Sequence, residues 1–125
     1  MNSHEWFRRT TWSATDRDEF LARLKRSRTH FQKSQYLRIQ AGHLQDIGTE
    51  PMLRAARELL DLLIAEYPDR SQLSLAFQQR AQCLSDLGDY DEAIDSYRKS
   101  FDAQREARNV RPMAYLDFGE LVVGL

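Results

Sequence analysis

The sequence predicts an all-α fold of consecutive antiparallel helix pairs, about six helices in all, and three observations carry that expectation. Apolar residues recur at helical spacing along every long segment, and no segment sustains the period-two alternation of a half-buried strand. The three prolines and five glycines punctuate those periodic segments, as they do between helices. Small and bulky residues also recur together: Ala41 to Ala81 spans 40 residues and Ala81 to Gly119 spans 38, a period that calls for stacked helices.

Composition sets the frame. At 125 residues the chain suits one domain, large enough to bury roughly two thirds of its unfolded surface. With 42% apolar and 30% charged residues it fits neither a disordered tail nor a membrane protein. No stretch approaches the roughly 20 consecutive apolar residues of a membrane span. The opening residues, Met1 to Arg9, lack an apolar run, so no cleaved secretory signal is expected. The single cysteine, Cys83, excludes an intramolecular disulfide and suits a reducing cytoplasm. Charge is uneven: residues 1–50 carry nine Lys/Arg against six Asp/Glu, and residues 51–125 nine against thirteen. Neither half is extreme enough to declare a nucleic-acid partner.

The elements follow in order. An aromatic cluster, Trp6, Phe7 and Trp12, precedes Ser13, which with Asp16 three residues on predicts a helix N-cap. The first helix carries Phe20, Leu24 and Phe31 on one stripe. The stripe loses phase between residues 27 and 34, which predicts a soft break; one long helix through Leu44 is the alternative. The second helix carries Tyr36, Leu37, Ala41, Leu44 and Ile47 and stops at Gly48. Thr49 is expected to cap the third, with Pro51 in its first turn, Ala55, Ala56, Leu59, Leu60, Leu63 and Ile64 along it, and an end at Tyr67-Pro68. Ser71 opens the fourth, which carries Leu73, Phe77, Ala81, Leu84 and Leu87 and ends at Gly88. Asp89 and Glu92 form a capping-box pattern for the fifth, with Ala93, Ile94, Tyr97 and Phe101 as its apolar face. Pro112 is expected to start the sixth, with Tyr115, Phe118, Val122 and Val123.

The helices repeat one another. Ala41 and Gly48 are seven residues apart, as are Ala81 and Gly88, and a leucine, Leu44 or Leu84, lies three after each alanine. The unit from Ala76 to Tyr97, with its Gly88-Asp89-Tyr90-Asp91-Glu92-Ala93 turn, resembles the tetratricopeptide repeat (TPR). Tyr115 to Val122 looks like the first helix of a further repeat, and residues 37–68, closed by Pro68, resemble an earlier one with extra residues around Thr49-Glu50-Pro51. Arg80 and Gln40 stand where the family has leucine, and Arg105 where it has proline. The Trp6-to-Trp12 run is also similar to the start of small bacterial TPR proteins of uncharacterised role. The resemblance implies a right-handed superhelix. Residues 1–33 would form an N-terminal aromatic segment and capping helix, and residues 34–125 the repeats, at about 34–68, 71–108 and 112–125.

The resemblance also implies a function: holding a protein or peptide in the concave groove lined by the first helix of each repeat, as an adaptor, a chaperone-like holder or an inhibitor (immunity) protein. The implied groove residues are Gln78, Gln79, Gln82, Ser85 and Asp86 from one repeat and Asp117 and Glu120 from the next, with Arg38 from the first. The basic and asparagine residues that clamp a terminal carboxylate in chaperone-binding relatives are missing, so binding of acidic chaperone tails is not expected. An exposed apolar end at Leu121, Val122, Val123 and Leu125 makes self-association into a homodimer the structural alternative.

No residue pattern asks for catalysis, a cofactor or a metal. His4, His30 and His43 never fall at the i, i+4 spacing of a helical metal pair. Cys83 lies within a repeat helix, where a small buried hydrophobe is the default. The acidic run Asp86, Asp89, Asp91, Glu92 and Asp95 lacks the glycine and terminal glutamate of an EF-hand and is expected to be a solvated turn. The basic stretch over residues 17–38 holds seven Lys/Arg against Asp18 and Glu19. A phosphate-binding stripe is its functional reading and a docking surface for an acidic partner an intermediate one, but the charges are expected to point around the helix, as on a solvated face.

Overall fold

Each helix begins and ends on chemistry carried by a few neighbouring residues. The computed structural model describes residues 5–116, with side chains through Ala107. Among them five helices follow one another and no strand occurs: α1 (Ala14–Arg26), α2 (His30–Ile47), α3 (Glu50–Glu66), α4 (Arg70–Asp86) and α5 (Tyr90–Leu116). No helix of the described residues is long and apolar enough to cross a membrane.

Ser13 caps α1 in a full capping box: its hydroxyl accepts the Asp16 N–H at 3.1 Å, and the Asp16 carboxylate accepts the Ser13 N–H at 2.9 Å. The Ser13 N–H first, and then the Thr11 hydroxyl, hold the Asp16 carboxyl below its ordinary value. The soft break is a real one, at Ser27-Arg28-Thr29, so the single helix through Leu44 does not form. Thr29 caps α2 by accepting the Gln32 N–H at 3.0 Å, and the Gln32 amide oxygen accepts the Arg28 N–H at 3.1 Å. That Thr-x-x-Gln pattern was present in the sequence as a helix-start signal. It also places the start of α2 at His30, ahead of the boundary expected after residue 33.

The later boundaries bring three corrections. Thr49 occupies the cap position of α3, but its hydroxyl makes no cap bond. Pro51 removes one of the two N–H groups that a cap side chain ordinarily reaches. Asp69, not Ser71, caps α4: its carboxylate accepts the Ser71 N–H at 3.0 Å. Glu92 does not close a box on α5, because its carboxylate goes to Arg57 at 3.2 Å and Arg80 at 3.9 Å. Between α4 and α5, Asp89 N–H bonds Leu84 O at 2.8 Å and Gly88 N–H bonds Ser85 O at 3.0 Å. Those are the two bonds of a Schellman motif, with Gly88 at φ 87°.

No sixth helix starts at Pro112 among the described residues; α5 runs unbroken for 27 residues through it. The cause lies upstream, where the residues offer no stop. The stretch from Asp102 to Arg111 contains neither glycine nor proline and is rich in Ala, Gln, Glu and Arg, all good helix formers.

Each helix packs on the next, and α2 also touches α4. Neighbours are antiparallel: on α4 and α5, Ser74 meets Ser100 and Phe77 meets Ser96, so one index rises as the other falls. Helices α2 and α4 run parallel, with Arg38 bonded to Gln72 and Gln45 to Gln79, each pair 34 residues apart. The core between them is Leu37, Ala41 and Leu44 of α2, Leu53, Ala56, Leu59, Leu60 and Leu63 of α3, and Ala76, Ala81, Cys83 and Leu84 of α4. The alanines let the axes approach and the leucines fill the space between layers.

Helix α5 buries only part of the face expected, Ala93 and, by half, Tyr97. Ala93, Ser96 and Ser100 point inward, while Ile94 and Phe101 are exposed and Tyr97 is half-buried. Ser96 donates to the Phe77 carbonyl at 2.8 Å and Ser100 to the Ser74 carbonyl at 2.9 Å, so small hydroxyls let α5 lie close on α4. Phe31 and Ile47 are likewise exposed, and Phe31 belongs to α2 rather than to the stripe of α1.

The N-terminal aromatic segment closes the stack at α1 and α2. Trp6 and Phe7 are buried; the Trp6 ring lies 5.2 Å from Phe7, 5.3 Å from Phe20 and 5.0 Å from Tyr36. Arg9, buried beside them, bonds the Trp6 carbonyl at 2.9 Å and pairs with Asp16 and Glu19, each at 3.1 Å. On the outside, Arg17 of α1 grips Glu58 of α3 at 2.7 and 3.1 Å.

Candidate partner-binding surface

The parallel pairing of α2 and α4 makes a shallow concavity of about 340 Å³, lined by Arg38, Leu75, Gln78, Gln79, Gln82 and Tyr97. Four of the expected groove residues, Arg38, Gln78, Gln79 and Gln82, therefore meet at one place. Ser85 and Asp86 do not line it, and Asp117 and Glu120 lie outside the described residues. Leu121, Val122, Val123 and Leu125, the expected self-association end, lie outside them too.

These four residues have unlike roles. Gln79 is part of the framework: its amide nitrogen donates to the Arg38 carbonyl and to Gln45 Oε1, both at 2.9 Å, and its oxygen faces the Arg38 guanidinium at 3.5 Å. Arg38 is half-buried and bonds Gln72 Oε1 at 2.7 Å; burial lowers its pKa from the ordinary arginine value. Gln82, more exposed, donates to Asp86 at 3.1 Å and accepts weakly from the Tyr97 hydroxyl at 3.5 Å. The exposed Gln78 amide makes no hydrogen bond among the described residues, and Leu75 beside it is 45% exposed.

Next to this concavity α5 carries an apolar stripe that its neighbours leave open. Tyr90, Ile94 and Phe101 are 64%, 50% and 57% exposed, and half-buried Tyr97 joins them on one helix face. The period-3.6 pattern had marked this stripe but assigned it to the core. Periodicity identifies an apolar face and not the element that covers it.

A second feature was visible in the sequence only as a basic run. The break at Ser27–Thr29 turns the chain so that Arg23 and Arg26 of α1 and Arg28 of the connection surround one concavity of about 400 Å³. Trp6, Ser27, Gln32 and Tyr36 complete its lining. The expectation that these charges spread around a helix therefore fails for three of them: the turn, not the helix, gathers them.

The remaining chemical candidates are embedded in the framework. Cys83 is fully buried, donates its thiol to the Leu53 carbonyl at 3.0 Å, and has its pKa pushed up to about 11, by burial first and by Asp86 second. The acidic run is dispersed among partners, Asp86 with Gln82, Glu92 with the two arginines and Asp95 with Lys99. Among the described residues no three His, Cys, Asp or Glu side chains are grouped to hold a metal. Arg80, one of the departures from the repeat pattern, bonds Asp61 at 2.6 Å, and Gln40, another, is fully buried against Arg9. Set against models of protein families, against curated proteins and against solved structures, the chain matches none.

Proposed function

We propose that this chain is a TPR-like interaction module that holds a protein or peptide segment on the concave side of its helix stack, as an adaptor, chaperone-like holder or inhibitor, and that it is not an enzyme. What carries the reading is the contrast within the α2–α4–α5 concavity, whose floor is tied internally and whose rim is open. Gln79 and Arg38 hold the floor in one arrangement, so little ordering entropy is lost on binding. Gln78 offers a donor and an acceptor to a peptide backbone, and Leu75 offers an apolar contact beside it.

The test is affinity capture from lysate with the wild type and a Gln78→Arg, Gln82→Arg variant, leaving Gln79 intact because it is framework. The expected result is a protein retained by the wild type and lost by the variant, with equal helicity in both baits. A partner retained equally by both would remove the concavity from the proposal.

Self-association is the second reading, and the α5 stripe favours it: an open row of Tyr90, Ile94, Tyr97 and Phe101 is the kind of surface that helix pairing covers. Sedimentation velocity of the wild type beside an Ile94→Lys, Phe101→Lys variant separates the two. A concentration-dependent dimer lost in the variant supports this reading, and a monomer at all concentrations removes it.

A further inference from the structure

We propose that the arginine concavity at the α1–α2 junction is an oxyanion site for a phosphate group, carried by a phosphorylated side chain or by a small phosphorylated molecule. It is independent of the peptide concavity. Gln32 and Tyr36 line it from one face of α2, while Arg38 and Gln45 serve α4 from the opposite face.

Basic residues outnumber acidic ones at this place, where Glu19 alone among the described carboxylates shares an adjoining concavity with Arg9, Arg23 and Arg26. From Phe20 to Gln45 the sequence holds six Lys/Arg and no Asp or Glu. Among the described residues no carboxylate lies within ion-pair distance of Arg23, Arg26 or Arg28, whereas Arg9, Arg17, Arg54, Arg57, Arg80 and Arg105 each have one. The nearest acidic groups of α1 are already engaged: Asp16 and Glu19 with Arg9, and Asp18 beside Arg17.

A bland account exists for part of the cluster, since basic residues in the last turn of a helix offset its dipole. It covers Arg23 and Arg26 but not Arg28, which follows the helix. The end of α1 is in any case served by other groups: Ser27 N–H bonds the Leu24 carbonyl at 3.0 Å, and the Lys33 ammonium donates to the Ser27 carbonyl.

The geometry then selects the ligand. Guanidinium forks match phosphate oxygens in pairs, and a phosphate monoester brings nearly two charges and three acceptor oxygens. A lone carboxylate has two oxygens for three forks. The Ser27 hydroxyl on this wall already donates to the Arg23 carbonyl at 3.4 Å, and Gln32, whose Oε1 accepts the Arg28 N–H, leaves its amide nitrogen as a further donor. A volume of about 400 Å³ suits a group of metabolite size. Single-stranded nucleic acid is the poorer fit, because it asks for an open aromatic face. Trp6 is buried, with Phe7, Phe20 and Tyr36 around its ring and the Arg23 guanidinium 5.8 Å above it.

Isothermal titration at low salt tests this with inorganic pyrophosphate, a short phosphoserine peptide, its unphosphorylated twin and a single-stranded oligonucleotide. The proteins are the wild type, an Arg26→Gln, Arg28→Gln variant, and an Arg70→Gln, Arg98→Gln variant that loses the same charge elsewhere on the surface. The expected result is binding of a phosphate probe that weakens at least tenfold in the first variant and less than twofold in the second, with unfolding midpoints unchanged. Preference for the peptide assigns a phosphorylated side chain, and preference for pyrophosphate a free small molecule; either outcome keeps the site. Equal weakening in both variants, binding of the unphosphorylated twin as tightly as the phosphopeptide, no binding of either phosphate probe, or tighter binding of the oligonucleotide than of both would overturn it.

Discussion

The side chain of Gln40 pairs with the peptide groups of Arg9 at both ends: its Oε1 accepts the Arg9 N–H at 2.9 Å, and its Nε2 donates to the Arg9 carbonyl at 2.8 Å. Both residues are buried, so this amide does for the incoming N-terminal segment what a neighbouring strand would do for a sheet edge. A buried glutamine is thus the anchor of the aromatic cap.

Gln40→Leu should therefore destabilise, although it places an apolar side chain at a buried position. It strands an N–H and a C=O in the interior, which costs about 2–4 kcal/mol in total. Urea unfolding followed by circular dichroism gives the loss. Tryptophan emission should shift to the red in the folded variant as Trp6 leaves its pocket among Phe7, Phe20 and Tyr36. A variant as stable as the wild type would show that the segment is held by its aromatic rings alone.

Arg80→Leu, the other polar-to-leucine change, should behave differently and stay within about 1 kcal/mol of the wild type. Its partners Asp61 and Glu92 remain half in water and keep Arg57, so no buried charge is left alone. Whatever difference is measured should shrink in high salt, because it is electrostatic. A loss that persists there would point to packing of the Arg80 stem.

Cys83 makes stability depend on pH at the alkaline end. Its pKa rises from the ordinary value of 9.0 to about 11 in the folded chain, so between those two values the folded state holds a proton that the unfolded state has released. The stability it contributes is fully present below pH 9 and is lost as pH rises to 11, with a slope of at most about 1.4 kcal/mol per pH unit. The difference in unfolding free energy between the wild type and Cys83→Ser should fall over that window, and a pH-independent difference would refute it. Iodoacetamide at neutral pH should label Cys83 only on unfolding.

Gly88→Ala isolates backbone strain. A Cβ there meets nothing within 4 Å, but φ is 87°. The cost should be about 1–2 kcal/mol, as for a non-glycine residue in a left-handed conformation, read as a lower thermal midpoint. Gly88→Asn should lose less, because asparagine tolerates that region.

The helix interiors and most of their ends were legible in the residues themselves. Ser13 with Asp16, the stops at Gly48 and Gly88, and the leucines and alanines of α3 are local facts, settled within one or two turns of chain. The misassigned starts were local too: Asp69 rather than Ser71 caps α4, Thr29 with Gln32 starts α2 ahead of residue 33, and α5 runs on through Pro112. Of the concavity, Gln78, Gln79 and Gln82 were named from the repeat pattern, yet nothing in the pattern distinguished the tied Gln79 from the open Gln78.

By itself, then, the sequence determined an all-helical chain with its turns in place, because capping, φ preference and period-3.6 patterning act between near neighbours. The tertiary structure decided which faces are covered. It turned Ala93, Ser96 and Ser100 inward and left Ile94 and Phe101 open. It put Gln40 on Arg9 and drew three arginines around one concavity. Those outcomes depend on how whole helices cross and on pairings some 30 residues apart, where two side chains meet only after every element between them has taken its place.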